Sequence, residues 1–144
     1  MTVDKLTQPI SLLITDDDDA SRQILREIFE PEGYRTLLAS SGAEAIEIVQ
    51  SETIHLAILD MHMPKLTGLE TLQIVRQIHS WLPAILMTAQ SSRELIRRAF
   101  SAQVYSVLPK PVTKSVVLYT VIRALGQAQR ETQEPPLPDD PTKR

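Results

Sequence analysis

The chain lacks cysteine altogether and carries no apolar run long enough to span a bilayer. Without cysteine it can form neither a disulfide framework nor a thiolate metal site, which fits a reducing compartment. The N-terminus also lacks the basic stretch and apolar segment of a secretion signal. The three histidines are scattered, so a zinc site is not expected. These absences predict a soluble, cytoplasmic protein without a membrane partner.

A strongly basic surface is missing as well. The net charge is -3 and no basic stripe is visible, which argues against direct contact with nucleic acid. The 144 residues correspond to one ordinary domain, and the hydrophobic fraction of 42% is sufficient for a full core. We place this domain at residues 10–128, after a flexible N-terminus at residues 1–9. Residues 129–144 are rich in proline and are expected to form a disordered tail or linker stub.

Four consecutive aspartates follow the first short apolar run, which covers residues 12–15. If that run is a strand of a parallel sheet, its carboxyl end delivers several carboxylates to the edge where such sheets bind ligands. Two carboxylates about 4 Å apart repel by roughly 4 kcal/mol at an effective dielectric constant of about 20, which favours a divalent metal or a lysine beside them. The alternative is a solvated acidic loop. Asp16 and Asp17 lie nearest the strand end, whereas Asp18 and Asp19 are better placed to cap the next helix.

Three further apolar runs also end in a polar residue, and these residues are Asp60, Thr88 and Lys110. Each run is short and rich in β-forming residues, and a segment with helical spacing follows it. This alternation is typical of βαβ units, which build a parallel sheet. The sheet would bring an acid cluster, a single acid, a hydroxyl and an ammonium to one edge. Their coincidence indicates a functional site.

The boundaries of the elements follow from turn and capping signals. Strands are expected over residues 10–15, 34–39, 55–59, 84–87 and 104–108. The first helix is expected over residues 20–30 and the fifth over residues 113–127, and the three between them open with the capping-box pairs Ser41/Glu44, Thr67/Glu70 and Ser91/Glu94. Helical spacing predicts that Ile24 of the first helix and Ile96, Ala99 and Phe100 of the fourth face the core.

Together these residues resemble the receiver domain of response regulators. The motifs that carry the resemblance are Asp16-Asp17, Asp60 with Met63-Pro64 and Gly68 downstream, Thr88-Ala89 and Lys110-Pro111. The resemblance implies a flavodoxin-like (βα)5 fold of the α/β class, with a parallel sheet of order 2-1-3-4-5. Helices one and five would cover one face of the sheet, and helices two, three and four the other. It also implies that the Lys110–Pro111 peptide bond is cis.

The resemblance implies a phosphoacceptor site centred on Asp60. Asp60 would receive a phosphoryl group from the phosphohistidine of a sensor histidine kinase or a histidine phosphotransfer protein. The cofactor would be Mg²⁺, bound directly by Asp17, Asp60 and the backbone carbonyl of His62, with Asp16 acting through a metal-bound water. Oxygen ligands of this kind suit that ion. The chain would be a signalling receiver and not an enzyme, apart from self-catalysed phosphotransfer and slow autodephosphorylation.

Thr88 and Lys110 complete the implied site. Thr88 would donate a hydrogen bond to one phosphoryl oxygen, and Lys110 would pair with another and offset the repulsion between carboxylate and phosphoryl group. The His62 side chain has two open interpretations, because it can reach the phosphoryl group or its attacking water, or it can be an exposed loop residue. His55 and His79 are interpreted as structural or solvated.

Two positions depart from the pattern of the family. Val107 stands three residues before the lysine, where receivers usually carry an aromatic switch residue, and this leaves the coupling between Thr88 and the output face open. Tyr105, interpreted as lying on the same strand face, would either replace that switch or be a partly exposed strand residue. Gln103 occupies a position where glycine is common. A second function therefore stays open, a receiver-fold scaffold that does not depend on phosphorylation.

The fifth helix is unusually apolar. Val117, Val121 and Leu125 can form its buried stripe, which leaves apolar residues such as Tyr119 and Ile122 near the flanks or outside. One interpretation is a contact with a downstream protein target, or a homodimer, through the face formed by helix four, strand five and helix five. The alternative is a wide buried stripe. The chain is expected to be either a single-domain regulator or a receiver from a longer protein.

Overall fold

Five parallel strands form one sheet at the centre of the molecule, in the order β2-β1-β3-β4-β5. The computed structural model of the chain describes residues 8–133. The strands are β1 Ser11–Thr15, β2 Arg35–Ala39, β3 Leu56–Asp60, β4 Ala84–Thr88 and β5 Ser106–Pro109. All four neighbouring pairs are parallel. The predicted fold class and strand order are confirmed.

Five helices connect and flank the strands. They are α1 Asp19–Phe29, α2 Gly42–Ser51, α3 Gly68–Ile78, α4 Arg93–Ser101 and α5 Lys114–Gln133, and a short 3-10 turn, Glu30–Glu32, follows α1. We predicted that α5 ends near Gln127, whereas it continues to Gln133. Residues 129–133, which we predicted as part of a disordered tail, therefore belong to this helix. The rest of the predicted tail and residues 1–7 of the predicted flexible N-terminus lie outside the described residues. Within residues 8–133, no helix has the length and apolar character needed to cross a bilayer.

The sheet is buried on both faces, which explains why its strands read as continuous apolar runs. Alternate residues of the strands point to opposite cores, so Leu13 and Leu59 lie in one and Ile14 and Ile58 in the other. The first core lies under α2, α3 and α4, and the second lies under α1 and α5. The helices therefore cover the faces that the resemblance implied.

Side-chain caps fix most of the helix starts. The Thr67 hydroxyl and the Glu70 carboxylate form the complete capping box predicted for α3. At α2, Ser41 caps the helix as predicted, but the Glu44 carboxylate accepts hydrogen bonds from Ser40 instead of Ser41. The prediction for α4 was one residue early, because Ser92 and not Ser91 caps it.

Three residues predicted to face the core are exposed. Ile24 is 55% exposed on α1, and Ile96 and Phe100 are 39% and 50% exposed on α4. The buried residues of α4 are Ala99, as predicted, and Leu95, which lies one position before the predicted Ile96. One residue is about 100° of rotation around a helix, so this small offset moves Ile96 and Phe100 from the core to the surface.

Candidate functional site

The carboxyl ends of β1, β3 and β5 bring two buried carboxylates and one lysine together. Asp16 follows β1, Asp60 is the last residue of β3, and Lys110 follows β5. The Lys110 Nζ lies 3.0 Å from the Asp16 Oδ2 and 3.4 Å from the Asp60 Oδ1. The structure therefore places Lys110 in contact with both predicted carboxylates.

Hydrogen bonds hold Asp16 in a fixed orientation. Its side chain is completely buried, and its Oδ1 accepts a hydrogen bond of 2.9 Å from the backbone N–H of Asp18. Its own backbone N–H donates to the carbonyl of Ala39 at the end of β2, at 3.1 Å. Because both its side chain and its backbone are held by hydrogen bonds, Asp16 has little freedom to move away from Lys110.

Asp17 adds a third carboxylate to the pair formed by Asp16 and Asp60. One oxygen from each of the three lies within 4.8 Å of the others, and Asp17 is exposed to solvent. Mg²⁺ prefers carboxylate oxygens and keeps several waters, so a cluster with one open side fits this ion. As predicted, Asp18 caps α1 and Asp19 lies in its first turn. Asp19 also forms a salt bridge with Arg22 at 2.9 Å, which was not predicted.

Burial and the neighbouring charges shift the pKa values of Asp60 and Lys110. Burial, and after it the charge of Asp16, raises the pKa of the Asp60 carboxyl above its usual value, although Lys110 acts in the opposite direction. Burial also works against the charged Lys110 ammonium. The hydrogen bond to Asp16 and the charges of Asp16 and Asp60 outweigh that effect, and the pKa of Lys110 is raised. Lys110 therefore offsets only part of the effect of burial and of the Asp16 charge on the pKa of Asp60.

Gly68 allows the β3–α3 loop to return against the site. Its N–H donates a hydrogen bond of 2.9 Å to the Met61 carbonyl, and a Cβ at this position would lie 2.3 Å from the Asp60 carbonyl oxygen. No real Cβ approaches an oxygen so closely. Gly68 belongs to the motif that carries the family resemblance, and the structure shows that any side chain here would clash with the Asp60 backbone.

Thr88 lies at the end of β4 and is buried. Among the described residues, the hydrogen-bond partners of its hydroxyl are His62 and Gln90, and not Asp60. The Thr88 Oγ lies 3.2 Å from the His62 Nε2, donates to the Gln90 carbonyl at 3.0 Å and accepts from the Gln90 N–H at 3.1 Å. The contact with His62 was not predicted, since a loop histidine carries no periodic signal that fixes its direction. His62 is exposed, and it is nevertheless tied to a buried strand residue.

The strand that carries Lys110 also holds the two departures from the family pattern. The Lys110–Pro111 bond is cis, as the resemblance implied. Val107 packs with the core under α2, α3 and α4, whereas Tyr105 packs with the core under α5. Our interpretation that these two residues share a strand face was wrong, because β5 begins at Ser106 and the alternation does not reach back to Tyr105. Gln103 has a φ of 65°, a conformation that favours glycine.

The fold and the acidic pocket at its carboxyl edge define the class of α/β receiver domains, and comparison with known proteins agrees. The sequence profile of the response regulator receiver domain matches residues 12–122. The chain is 31% identical over 127 residues to the transcriptional regulatory protein GlrR of Escherichia coli K12, an alignment that covers 88% of this chain. It spans only 29% of the length of that relative.

Solved structures show the same likeness. A CheY-like receiver domain protein from Methanospirillum hungatei JF-1 has a TM-score of 0.83 at 26% identity, over 86% of this chain and 99% of that one. CheY in a CheX-CheY-BeF3-Mg complex from Borrelia burgdorferi has a TM-score of 0.78 at 24% identity, over 83% and 91% of the two chains. This second likeness shows the fold alone. The chain belongs to the response regulator receiver domain family, whose members are signalling domains of two-component systems.

Proposed function

We propose that the chain is a phosphorylatable switch whose phosphoacceptor is Asp60. The phosphoryl group would come from the phosphohistidine of a sensor histidine kinase or a histidine phosphotransfer protein in the cytoplasm. In this step an N–P bond of the donor breaks, and a bond forms between phosphorus and an Asp60 oxygen. The observation that carries the proposal is the position of the Asp60 carboxylate at the end of β3, between two other carboxylates and the Lys110 ammonium.

The surrounding residues supply what a carboxylate nucleophile needs. Attack on a phosphoryl group brings negative charges together, so catalysis consists mainly of positioning and charge neutralisation. Lys110, 3.4 Å from Asp60, would pair with a phosphoryl oxygen. Asp17, Asp60 and the backbone carbonyl of His62 would hold Mg²⁺ directly, and Asp16 would hold it through water. When bound, Mg²⁺ supplies the positive charge that the acidic cluster lacks.

Signalling would proceed through protein contacts. Helices α4 and α5 expose several apolar side chains, namely Ile96, Phe100, Val116, Tyr119 and Ile122. A patch of this composition favours a protein partner, either a downstream target or a second copy of the chain. With a net charge of -3, the chain itself is not proposed to bind DNA, and it is not proposed to turn over an external substrate.

Phosphorylation from a small donor tests this proposal. The chain is incubated with acetyl phosphate and Mg²⁺, and its intact mass is measured at intervals. We expect wild type to gain one labile phosphoryl group and Asp60→Asn to gain none. Asp19→Asn is a matched control, because it removes a neighbouring carboxylate that pairs with Arg22 and lies outside the site. It should be phosphorylated like wild type.

A different outcome would separate the two functions that the sequence left open. Equal phosphorylation of wild type and Asp60→Asn would contradict the choice of Asp60. If wild type gains no phosphoryl group from acetyl phosphate or from a phosphorylated kinase, the switch proposal fails and the scaffold function remains. Val107, which has no ring to turn inward, is the feature that supports that second function.

A further inference from the structure

The Thr88 hydroxyl is fully engaged by partners other than Asp60. A hydroxyl has one proton to donate and two lone pairs to accept with. Thr88 has three contacts, one with the His62 Nε2 and two with the Gln90 backbone. All three are satisfied together when the hydroxyl donates to the Gln90 carbonyl and accepts from both the Gln90 N–H and the His62 Nε2–H. In this arrangement the His62 Nε2 carries a proton and donates it to Thr88.

We propose that His62 is a positioning residue that holds the Thr88 hydroxyl in the unphosphorylated chain, so that a phosphoryl group must compete with His62 for Thr88. The proposal rests on the function given above, in which Thr88 donates to a phosphoryl oxygen. Since the Thr88 Oγ makes no hydrogen bond with Asp60 in its present position, it must move toward a phosphoryl group on Asp60 to make that bond. Its contacts with the Gln90 carbonyl and with the His62 imidazole are then lost.

Thr88 and His62 differ in their exposure to solvent, and this difference determines when the contact between them can break. Thr88 is only 1% exposed, so a released hydroxyl gains little from water and costs free energy until it finds a new partner. His62 is exposed, and its ring can be solvated after release. The contact between His62 and Thr88 therefore opens at low cost only when a phosphoryl oxygen accepts the Thr88 proton in place of the Gln90 carbonyl. Breaking the contact between His62 and Thr88 would therefore reduce the net free energy of binding at the phosphoryl site.

A double-mutant cycle tests the proposal with beryllofluoride, the group found with magnesium in the Borrelia burgdorferi complex, used here as a phosphoryl analogue. The dissociation constant of beryllofluoride is measured in the presence of Mg²⁺. Since one net hydrogen bond is lost on binding, we expect His62→Ala to tighten binding about two- to tenfold. The same substitution should have the same effect in a Thr88→Ser background, which keeps the hydroxyl. In a Thr88→Ala background it should have no effect, and Thr88→Val serves as a second background without the hydroxyl.

The outcomes are distinct. If His62→Ala weakens binding, or changes it equally with and without the Thr88 hydroxyl, then His62 acts directly on the bound group and the proposal is overturned. An unchanged dissociation constant in the wild-type background overturns it too. If wild type itself does not bind beryllofluoride, the phosphoacceptor function fails and this inference fails with it.

A second measurement needs no phosphoryl analogue. The ring nitrogen shifts of His62 are recorded by ¹⁵N NMR in the free chain. We expect a protonated Nε2 whose shift changes in Thr88→Ala but not in Thr88→Ser. A ring that is insensitive to Thr88→Ala would show that the contact does not exist in solution, whatever the binding data show.

Discussion

At the scale of single residues, the features that suit Asp60 to its proposed role also lower the stability of the metal-free fold. Its carboxylate is enclosed at the end of β3 and faces the charge of Asp16, and both effects raise its pKa. One lysine 3.4 Å away compensates only in part. A buried site of this kind is therefore electrostatically unfavourable until a cation binds beside the carboxylates or a neutral side chain replaces one of them.

This electrostatic cost predicts the stability of Asp60→Asn in the absence of metal. A raised pKa means that folded Asp60 binds more protons than unfolded Asp60, so its contribution to stability falls as pH rises above the unfolded pKa. Asn removes that cost. We expect Asp60→Asn to increase the free energy of unfolding at neutral pH, and the increase to disappear as pH falls below about 4. Urea denaturation with EDTA, repeated over this pH range, measures it.

A control separates this effect from a general loss of negative charge. Glu47→Gln makes the same change of charge on the exposed face of α2 and should leave stability almost unchanged. If Asp60→Asn is less stable than wild type at neutral pH, or if Glu47→Gln gives the same gain, the electrostatic account of Asp60 is wrong.

At the scale of elements, Arg76 of α3 connects segments far apart in the sequence. Its guanidinium donates to the carbonyls of Ala102 and Gln103 after α4, and to those of Ser80 and Leu82 before β4. Burial lowers the pKa of the group, and no acidic partner is found among the described residues. Arg76 therefore acts as a hydrogen-bond donor that closes the end of the domain opposite the site.

We expect Arg76→Met to destabilise the chain by about 1–3 kcal/mol, because it leaves partly buried carbonyls without a donor. Arg26→Met is the matched control. Arg26 forms an exposed salt bridge with Glu30 on α1, and such pairs contribute at most about 1 kcal/mol. Chemical denaturation of both variants gives the comparison. Equal losses of stability would show that the four carbonyl contacts of Arg76 have no special weight.

Elements also show where sequence reasoning succeeds and fails. The strands were predictable because parallel strands buried on two faces leave continuous apolar runs. The buried face of α4 was not, since Leu95 and Ile96 are adjacent and equally apolar, and periodicity alone does not choose between them. The end of α5 was also missed, because the polar residues after Gln127 carry no core signal and are nevertheless good helix formers.

At the scale of the whole molecule, the sheet edge was predictable and the contacts made by its loops were not. Asp16, Asp60 and Lys110 were expected to meet because strand ends of a parallel sheet share an edge, and the Lys110 Nζ lies 3.0 Å from Asp16 and 3.4 Å from Asp60. The His62–Thr88 contact depends on the direction of a loop side chain. No pattern in the sequence encodes that direction.

Binding of Mg²⁺ should stabilise the whole fold. A ligand that binds only the folded chain adds about 2.7 kcal/mol at a hundredfold excess over its dissociation constant. We expect Mg²⁺ to raise the melting temperature of wild type and to raise that of Asp17→Asn much less. Asp17 is exposed, so its substitution should not disturb the metal-free fold. Asp19→Asn is the control and should respond like wild type. Equal responses of all three proteins would place the ion elsewhere.

The position of the phosphoryl group tests the central claim most directly. The chain is phosphorylated in the presence of Mg²⁺, the acyl phosphate is reduced with borohydride, and the modified residue is located by peptide mass mapping. The account predicts a single modified residue, Asp60, and no modification when Mg²⁺ is removed with EDTA. Modification of Asp17 or another carboxylate in place of Asp60 would contradict the account.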